Sequence, residues 1–406
     1  MASNFEYPKL NPDWRPQGFR CAGIYCGIKE SKRHDLMLIV SDHPAIGAAM
    51  FTTNAFCAAP VLISRPVAEA GKFRAVVCNS GNANACTGPK GLENAKKMQQ
   101  KAADTLSVAP EEVLVCSTGV IGSHLNMDAI LGGIPQVAQS LSDDGWESVV
   151  AAMRTTDAFP KYFGATFEIG GKTVRLLGLA KGGGMIHPNM ATMLSFLVTD
   201  AAIEPDALRQ ALRDAVNASF NAISVDGDTS TNDTVAIMAN GAAGNAPIQL
   251  GAPEYKEFCQ RLETVCIVLG KLIVHDGEGA TRMGIINVRG AESDADALKA
   301  ALAVARSPLV KTALYGADAN WGRIVCALGY SGAKVNPEKT CVSLAGHLIF
   351  HDGLPMEVNE ARTKAGLEKE EVPIDIDLGT GGEGKATYYT SDLTHEYIQV
   401  NAFYRT

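Results

Sequence analysis

GATFEIGGKTVRLLGLAKGGGMIHPNMATMLSFLVTD, residues 164–200, carries a strand signal at each end and between them a run that neither strand can absorb. The first half turns around Gly170 and Gly171, a pair suited to the two-residue loop of a β-hairpin. The closing TMLSFLVTD is apolar without alternation, the pattern of a strand covered on both faces. Between the two stand Gly182, Gly183, Gly184 and Pro188, which deliver Thr192 onto the start of the buried strand.

Outward from this stretch, the first half of the chain alternates strand and helix. RAVVCNSG (74–81) and EVLVCSTGV (112–120) are β-branched runs that end in glycine and polar residues, and GLENAKKMQQKAADTL (91–106) between them has helical spacing. That is a strand, loop, helix, strand unit of the α/β kind. EPDALRQALRDAVNASF (204–220) reads as an amphipathic helix with an acidic first turn. ISVDGDTSTNDTVAIMANG (223–241) reads as two apolar strands around a polar loop, and PEYKEFCQRLETVCIVLGKLIVHDGEGA (253–280) as a long helix ending in glycines. Beyond Thr281 the strands shorten and Gly-rich turns multiply, with one helix over ADALKAALAVARSPL (295–309), so a soft domain boundary is expected at 281–290.

The 406 residues suffice for two or three domains, and 46% hydrophobic with 20% charged residues is ordinary for a globular chain with a sizeable core. Against 44 Asp and Glu stand 36 Lys and Arg, a net charge of -8 with no basic stripe, which argues against a nucleic-acid partner. No stretch approaches the roughly 18 consecutive apolar residues of a membrane span. MASNFEYPKLNPDWRPQGF at the start has neither a signal-peptide apolar region nor an Arg-rich amphipathic pattern, so no membrane partner and a cytoplasmic address are expected. Of ten cysteines, Cys78, Cys116, Cys266 and Cys326 lie in apolar runs and read as reduced core residues, and no C-x-x-C pair occurs. Cys21 and Cys26 are the nearest pair, too few ligands for zinc without a second pair.

A threonine hydroxyl is too weak an acid to act as a nucleophile at neutral pH unless a base stands beside it. One solution makes the residue N-terminal, so that its own α-amine, titrating near ~8, takes the proton. For Thr192 this requires breaking the Ala191-Thr192 bond. A glycine-rich approach and a rigid proline suit a chain that must hold that bond in a strained turn while the hydroxyl attacks the preceding carbonyl. On residue pattern alone the same run also reads as a loose connection into an ordinary strand threonine. A phosphate cradle is a third reading, but the order G-x-x-x-x-G-K-[ST] is absent.

Two other groupings suggest metals and lack what metals need. His347 and His351 have the i, i+4 spacing of a helical ligand pair, yet HLIFHDG (347–353) lies among strand-like runs with no third ligand nearby. Asp226, Asp228 and Asp233 in DGDTSTNDT (226–234) are a faint match to a calcium loop without its closing Glu, and fit better as braces of active-site backbone. No metal is expected.

Residues 181–194 resemble the self-cleavage motif of the ornithine acetyltransferase family, the arginine-biosynthesis enzymes also called ArgJ or glutamate N-acetyltransferases. FTTNAFCAAPV (51–61), CNSGNANACTG (78–88), STGVIG (117–122), the TTD ending at Asp157, DGDTSTNDT, DGEGATR (276–282), ARSPLVKTA (305–313), NWGRI (320–324) and VNAFYRT (400–406) resemble it too. The likeness spans nearly the whole chain. Gly183, Ala158, Ala319 and Phe403 depart from the pattern, where Ser or Ala, Thr, Pro and an acidic residue are usual.

The resemblance implies an α/β fold of layered sheets sandwiched by helices, of the N-terminal-nucleophile kind, with a smaller C-terminal α/β domain. It implies self-cleavage into an α chain, 1–191, and a β chain, 192–406, in which 192–285 completes the catalytic core and 286–406 forms the C-terminal domain. Thr192 would be the nucleophile in cleavage and then in transfer of acetyl from N-acetylornithine to glutamate. Acetyl-CoA is an optional second donor, and no cofactor is implied. Thr118 and Gly119 would form the oxyanion hole, since glycine at a strand end lets an N–H approach a developing oxyanion; by pattern alone they read as a plain strand-terminating turn. Thr155, Lys181, Thr192, Glu278, Asn401 and Thr406 match substrate-contacting positions. Lys181 suits an α-carboxylate and Glu278 an ammonium, although by type either is more often a solvated surface charge. Both chains would stay together and pair into an α2β2 heterotetramer. An N-terminal-threonine amidase or aminopeptidase is the alternative activity.

Overall fold

The structure is a computed structural model that describes residues 7–187, 193–357 and 360–403. These residues divide into two compact units, one formed by Tyr7–Asn221 and Asp228–Ile273, the other by Ala222–Gly227 and the chain from Val274 onward. The first unit opens with β1 (Phe19–Ile24), β2 (Leu36–Ser41), β3 (Ile46–Phe51), α1 (Ala59–Ala70), β4 (Ala75–Asn82) and α2 (Gly88–Leu106). It continues through β5 (Val113–Val120), α3 (Met127–Gln139), α4 (Trp146–Met153), β6 (Lys161–Ile169), β7 (Lys172–Lys181), β8 (Leu194–Thr199) and α5 (Pro205–Ala218). The two-residue β9 (Ile223–Ser224) belongs to the second unit, after which β10 (Thr234–Ala239) and most of α6 (Pro253–His275) return to the first.

Among the described residues of the first unit, β1-β2-β4-β5 make one sheet and β3-β10-β8-β7-β6 a second. Side chains alternate along β2, β4 and β5 between two apolar environments. Met37, Ile39, Val76, Cys78, Leu114 and Cys116 pack with Leu177, Leu179, Leu194, Phe196 and Val198 of the other sheet. Their neighbours Leu36, Leu38, Val77, Val113 and Val115 pack with Met98, Ala102, Ile130 and Ile134 of α2 and α3. With one face on a sheet and the other on helices, these strands have no polar face, which is why their sequences do not alternate. On the far side of the second sheet, α6 lies so close to β7 that a Cβ at Gly178 would meet Leu269 and Val265 at 2.7 and 2.9 Å. The layers therefore run helices, sheet, sheet, helices, an α/β sandwich as expected.

The glycine-pair hairpin forms where the sequence places it. Ile169 faces Lys172 across the turn, and Gly170 and Gly171 take φ of 56° and 74°, both in the left-handed region that a tight hairpin turn requires. The strand β8 is buried along its whole length, between β7 antiparallel and β10 parallel.

The second unit holds β11 (Met283–Ala291), α7 (Asp294–Arg306), α8 (Pro308–Tyr315), α9 (Trp321–Gly329), β12 (Cys341–Leu344), β13 (His347–His351), β14 (Leu354–Pro355), α10 (Glu360–Leu367), β15 (Glu371–Asp377), β16 (Gly384–Ser391) and α11 (His395–Phe403). Its strands form the sheet β14-β13-β12-β15-β11-β16-β9. Ala297, Ala301 and Val304 of α7, Val310 and Leu314 of α8 and Ile324 and Leu328 of α9 pack against Ile286, Val288, Ile374 and Ile376 of this sheet.

Two local expectations change. The helix expected over 295–309 breaks at Ser307, whose side chain caps α8 by accepting from Val310 N–H while Pro308 occupies the first turn. His347 and His351 are the two ends of β13, in keeping with the strand-like pattern around them, and an extended strand holds them about 13 Å apart. Cys326 is exposed on α9, whereas Cys78, Cys116 and Cys266 are buried, and all ten cysteines are free. Among the described residues no helix is long and apolar enough to cross a membrane.

Candidate active site

Thr118 and Gly119 close β5, with Thr118 buried and Gly119 at φ 134°, a backbone that favours glycine. A Cβ on Gly119 would lie 2.4 Å from Gly81 C and 2.5 Å from Asn82 N, because β4 runs alongside in parallel register with Gly81 opposite Gly119. A glycine at 119 is thus needed for the strands to meet there. The carbonyl before Thr118 is fixed from outside the sheet. Asn232 Nδ2 donates to Ser117 O at 2.8 Å and to Ala83 O at 2.6 Å, and Ser117 Oγ donates to Asn79 Oδ1 at 2.6 Å.

Lys181 ends β7 and is buried, not a solvated surface charge, and its ammonium donates to Thr118 Oγ1 at 3.3 Å. Close by, Asp157 is a hub. Its Oδ1 accepts from Lys161 Nζ and from Gly182 N–H, both at 2.7 Å, and its Oδ2 accepts from Thr155 N–H at 3.0 Å. Burial works against this carboxylate, but the charges of Lys161 and Lys181, with the hydrogen bonds, outweigh it and hold its pKa below the usual carboxylate range. Lys29 Nζ donates to His34 O at 2.8 Å and to Arg154 O at 2.7 Å. Burial, together with repulsion from Arg33 and Lys181 and against the pull of Asp35, brings Lys29 down to about 8.

Ala191, Thr192 and Thr406 lie outside the described residues, so the residues on either side carry the description. Met185 has φ 57°, an uncommon backbone for a residue with a side chain. Met193, next after Thr192 in the chain, donates its N–H to Asp233 Oδ1 at 3.0 Å, and its carbonyl accepts from Thr234 N–H at 3.2 Å. Leu194 then pairs with Lys181 on one side and Thr234 on the other. Asp233 is buried, and burial pushes its carboxyl well above the ordinary range against the Met193 N–H, the Lys181 charge and the side chains of Ser230 and Thr52. The surrounding loop is stitched to residues 52–58. Thr52 Oγ1 donates to Ser230 O at 2.7 Å, Asn54 Nδ2 to Thr229 O at 2.9 Å and Ala58 N–H to Thr231 O at 2.9 Å.

In the second unit, Glu278 and Asn401 come together, with Asn401 Nδ2 donating to Glu278 Oε2 at 2.9 Å. Thr281 follows in the same turn and is anchored by Asp392, which accepts its N–H at 2.9 Å.

The ArgJ family model matches residues 20–406. This chain belongs to the ArgJ family. It is 50% identical over 397 residues to the arginine biosynthesis bifunctional protein ArgJ of Geobacter sulfurreducens, covering 96% of this chain and 99% of that one. To the protein of the same name from Chlorobaculum tepidum it is 48% identical over 393 residues, covering 96% of each. A solved structure of the arginine biosynthesis bifunctional protein ArgJ from Bacillus halodurans is 42% identical with a TM-score of 0.49, covering 50% of this chain and 96% of that chain.

Within this ArgJ chain the structure brings Lys181 to Thr118, and Asp157 links the Thr155 N–H to the end of β7. Sequence reasoning passed over Asp157, Asn232 and Lys29. The available signal was that Asp157 and Asn232 sit inside the quoted TTD and DGDTSTNDT blocks. Lys29 carried none.

Proposed function

We propose that this ArgJ enzyme cuts its own chain between Ala191 and Thr192 and then uses Thr192 as an N-terminal nucleophile to carry an acetyl group from N-acetylornithine to glutamate. The observation that carries this reading is the family match across residues 20–406, which spans every residue named in it. In cleavage, the Thr192 hydroxyl oxygen bonds to the Ala191 carbonyl carbon, the C–N bond breaks with the nitrogen taking up a proton, and water hydrolyses the resulting ester. In transfer, the freed α-amine takes the hydroxyl proton while the oxygen attacks the acetyl carbonyl. Ornithine leaves with that proton, and the glutamate amine then attacks the acetyl-threonine, whose ester C–O bond breaks as the threonine oxygen takes back a proton given up by the attacking amine. Each half passes through its own tetrahedral intermediate, and Thr118 and Gly119 receive the oxyanion of both.

The Lys181 contact to Thr118 supports this assignment, because a buried cation beside the oxyanion pair favours developing negative charge. Asp233 holding the Met193 N–H supports it as well, because it fixes the chain directly after the nucleophile. Thr155, Lys181, Glu278, Asn401 and Thr406 contact substrate, with Lys181 on an α-carboxylate and Glu278 on an ammonium. Acetyl-CoA serves as a second acetyl donor, in keeping with the word bifunctional in the relatives' names. The mature enzyme is a cytoplasmic α2β2 assembly of chains 1–191 and 192–406, and this chemistry uses no cofactor. Single-turnover transfer from acetyl-labelled N-acetylornithine tests the activity. The label passes to the protein and then to glutamate, whereas release as acetate to water would instead favour an amidase or aminopeptidase.

A further inference from the structure

We infer that Asp157 is a positioning residue of the acetyl-transfer site, fixing Thr155 and the end of β7 beyond Lys181 in register with one another. The inference rests on the assignment of Thr155 and Lys181 to substrate binding.

The turn carrying Thr155 belongs to no strand or helix, and backbone of that kind holds a side chain accurately only when its polar groups are tied. Here they are tied at both ends of the residue. Asp157 Oδ2 takes the Thr155 N–H at 3.0 Å, and Arg33 Nη2 donates to Thr155 O at 3.2 Å. Arg154 closes the same turn by donating to Asp157 O at 2.8 Å and Ala158 O at 2.7 Å, while Lys29 holds Arg154 O at 2.7 Å. The other carboxylate oxygen reaches across to the sheet, where Gly182 N–H and Lys161 Nζ both lie at 2.7 Å. One carboxylate therefore spans two substrate-contacting positions that the sequence separates widely. A buried charge is costly to keep unless it is paired, and the pairing with Lys161, fully buried like Asp157, makes the hub stable.

The chemistry of the hub dictates the test. Among the described residues every hydrogen-bond partner of the two Asp157 oxygens is a donor, so only a carboxylate satisfies both sides. An asparagine presents one oxygen and one N–H2, and whichever way it turns, an N–H2 group faces either the Thr155 N–H or the Gly182 N–H. Asp157→Asn therefore releases one of the two positions from the other. Its expected signature is a KM for N-acetylornithine raised about 10-fold or more with kcat changed less than about 3-fold, the pattern of lost binding rather than lost chemistry. Because Asp157→Asn removes the negative charge paired with Lys161, the double variant Asp157→Asn with Lys161→Met is measured beside it and is expected to show the same split. Thr155→Ala serves as the control on the underlying assignment. If it leaves KM unchanged, the substrate role of Thr155 fails and the proposal falls with it. If Thr155→Ala raises KM but both Asp157 variants fold and keep the parent KM, the positioning role alone is overturned. If neither Asp157 variant folds, Asp157 is a residue of the core only, and the proposal is likewise overturned.

Discussion

Lys181 reaches Thr118 across 63 positions of sequence, its ammonium 3.3 Å from the hydroxyl oxygen, so the end of β7 and the end of β5 meet at one point. Both groups are buried, so the charge acts through little screening. Lys181→Met is expected to lower acetyl transfer by about 100-fold or more, the scale on which one preorganised stabilising group acts at an oxyanion. Lys181→Arg is expected to restore little of it, since a 2% exposed site has no room for the larger guanidinium. Steady-state rates of the two variants check this, and full activity in Lys181→Met would contradict it.

Gly119 cannot carry a side chain. At φ 134° and with Gly81 C only 2.4 Å from the added carbon, Gly119→Ala must separate β4 from β5 at the proposed oxyanion pair. Transfer is expected to fall by about 100-fold, with a lowered Tm. Gly122→Ala is the comparison, because its Cβ would meet nothing within 4 Å although its φ of 83° adds strain. Equal loss of transfer in both would contradict the account.

Asp233 predicts an unusual pH response. An unfolded aspartate gives up its proton near ~3.9, whereas burial keeps the proton on folded Asp233 to higher pH. The folded state binds more protons across that window, so its stability falls as pH rises through it. Asp233→Asn keeps a carbonyl oxygen for the Met193 N–H and removes the titration. Urea unfolding at pH 5 and pH 7 is expected to show a flatter dependence and higher neutral-pH stability in Asp233→Asn than in the parent. Identical slopes would contradict the reading.

Lys311 gives the opposite sign in the second unit. It is buried on α8, donates to Thr390 Oγ1 at 3.2 Å, to Ser391 Oγ at 3.1 Å and to Ser391 O, and burial lowers it to about 8 against the attraction of Asp392 and Asp226. Between about 8 and the ordinary 10.5 the unfolded chain binds the extra proton, so stability rises with pH through that window. Lys311→Met is expected to abolish this rise when unfolding is followed at pH 7.5 and pH 9.5. A rise that persists in the variant would assign it to other groups.

What the sequence showed and what it hid divides by range. The Gly170-Gly171 hairpin, β8 and α6 were legible because their signals are local, a turn pair, an unbroken apolar run and a helical period. The break between α7 and α8 was legible in principle, since Ser307 followed by Pro308 is a helix start. The separation of β9 from β10 into different units was not, because β9 is two residues long and its partner β16 lies far along the chain. The Asp157 hub was hidden for the same reason: its contact to Gly182 exists only once β6 and β7 are in register. Motif likeness supplied Thr118, Thr155 and Lys181 one at a time, and the fold supplied the Lys181 to Thr118 hydrogen bond and the Asp157 carboxylate that ties Thr155 to Gly182.

In the proposed mechanism Thr192 becomes a chain terminus by the protein's own chemistry. N-terminal sequencing of the second fragment of the purified protein tests it most directly. Thr-Met-Leu-Ser-Phe is expected for the parent and a single intact, inactive chain for Thr192→Ala. An active parent that remains one uncut chain, or a fragment that begins at any other residue, would contradict it.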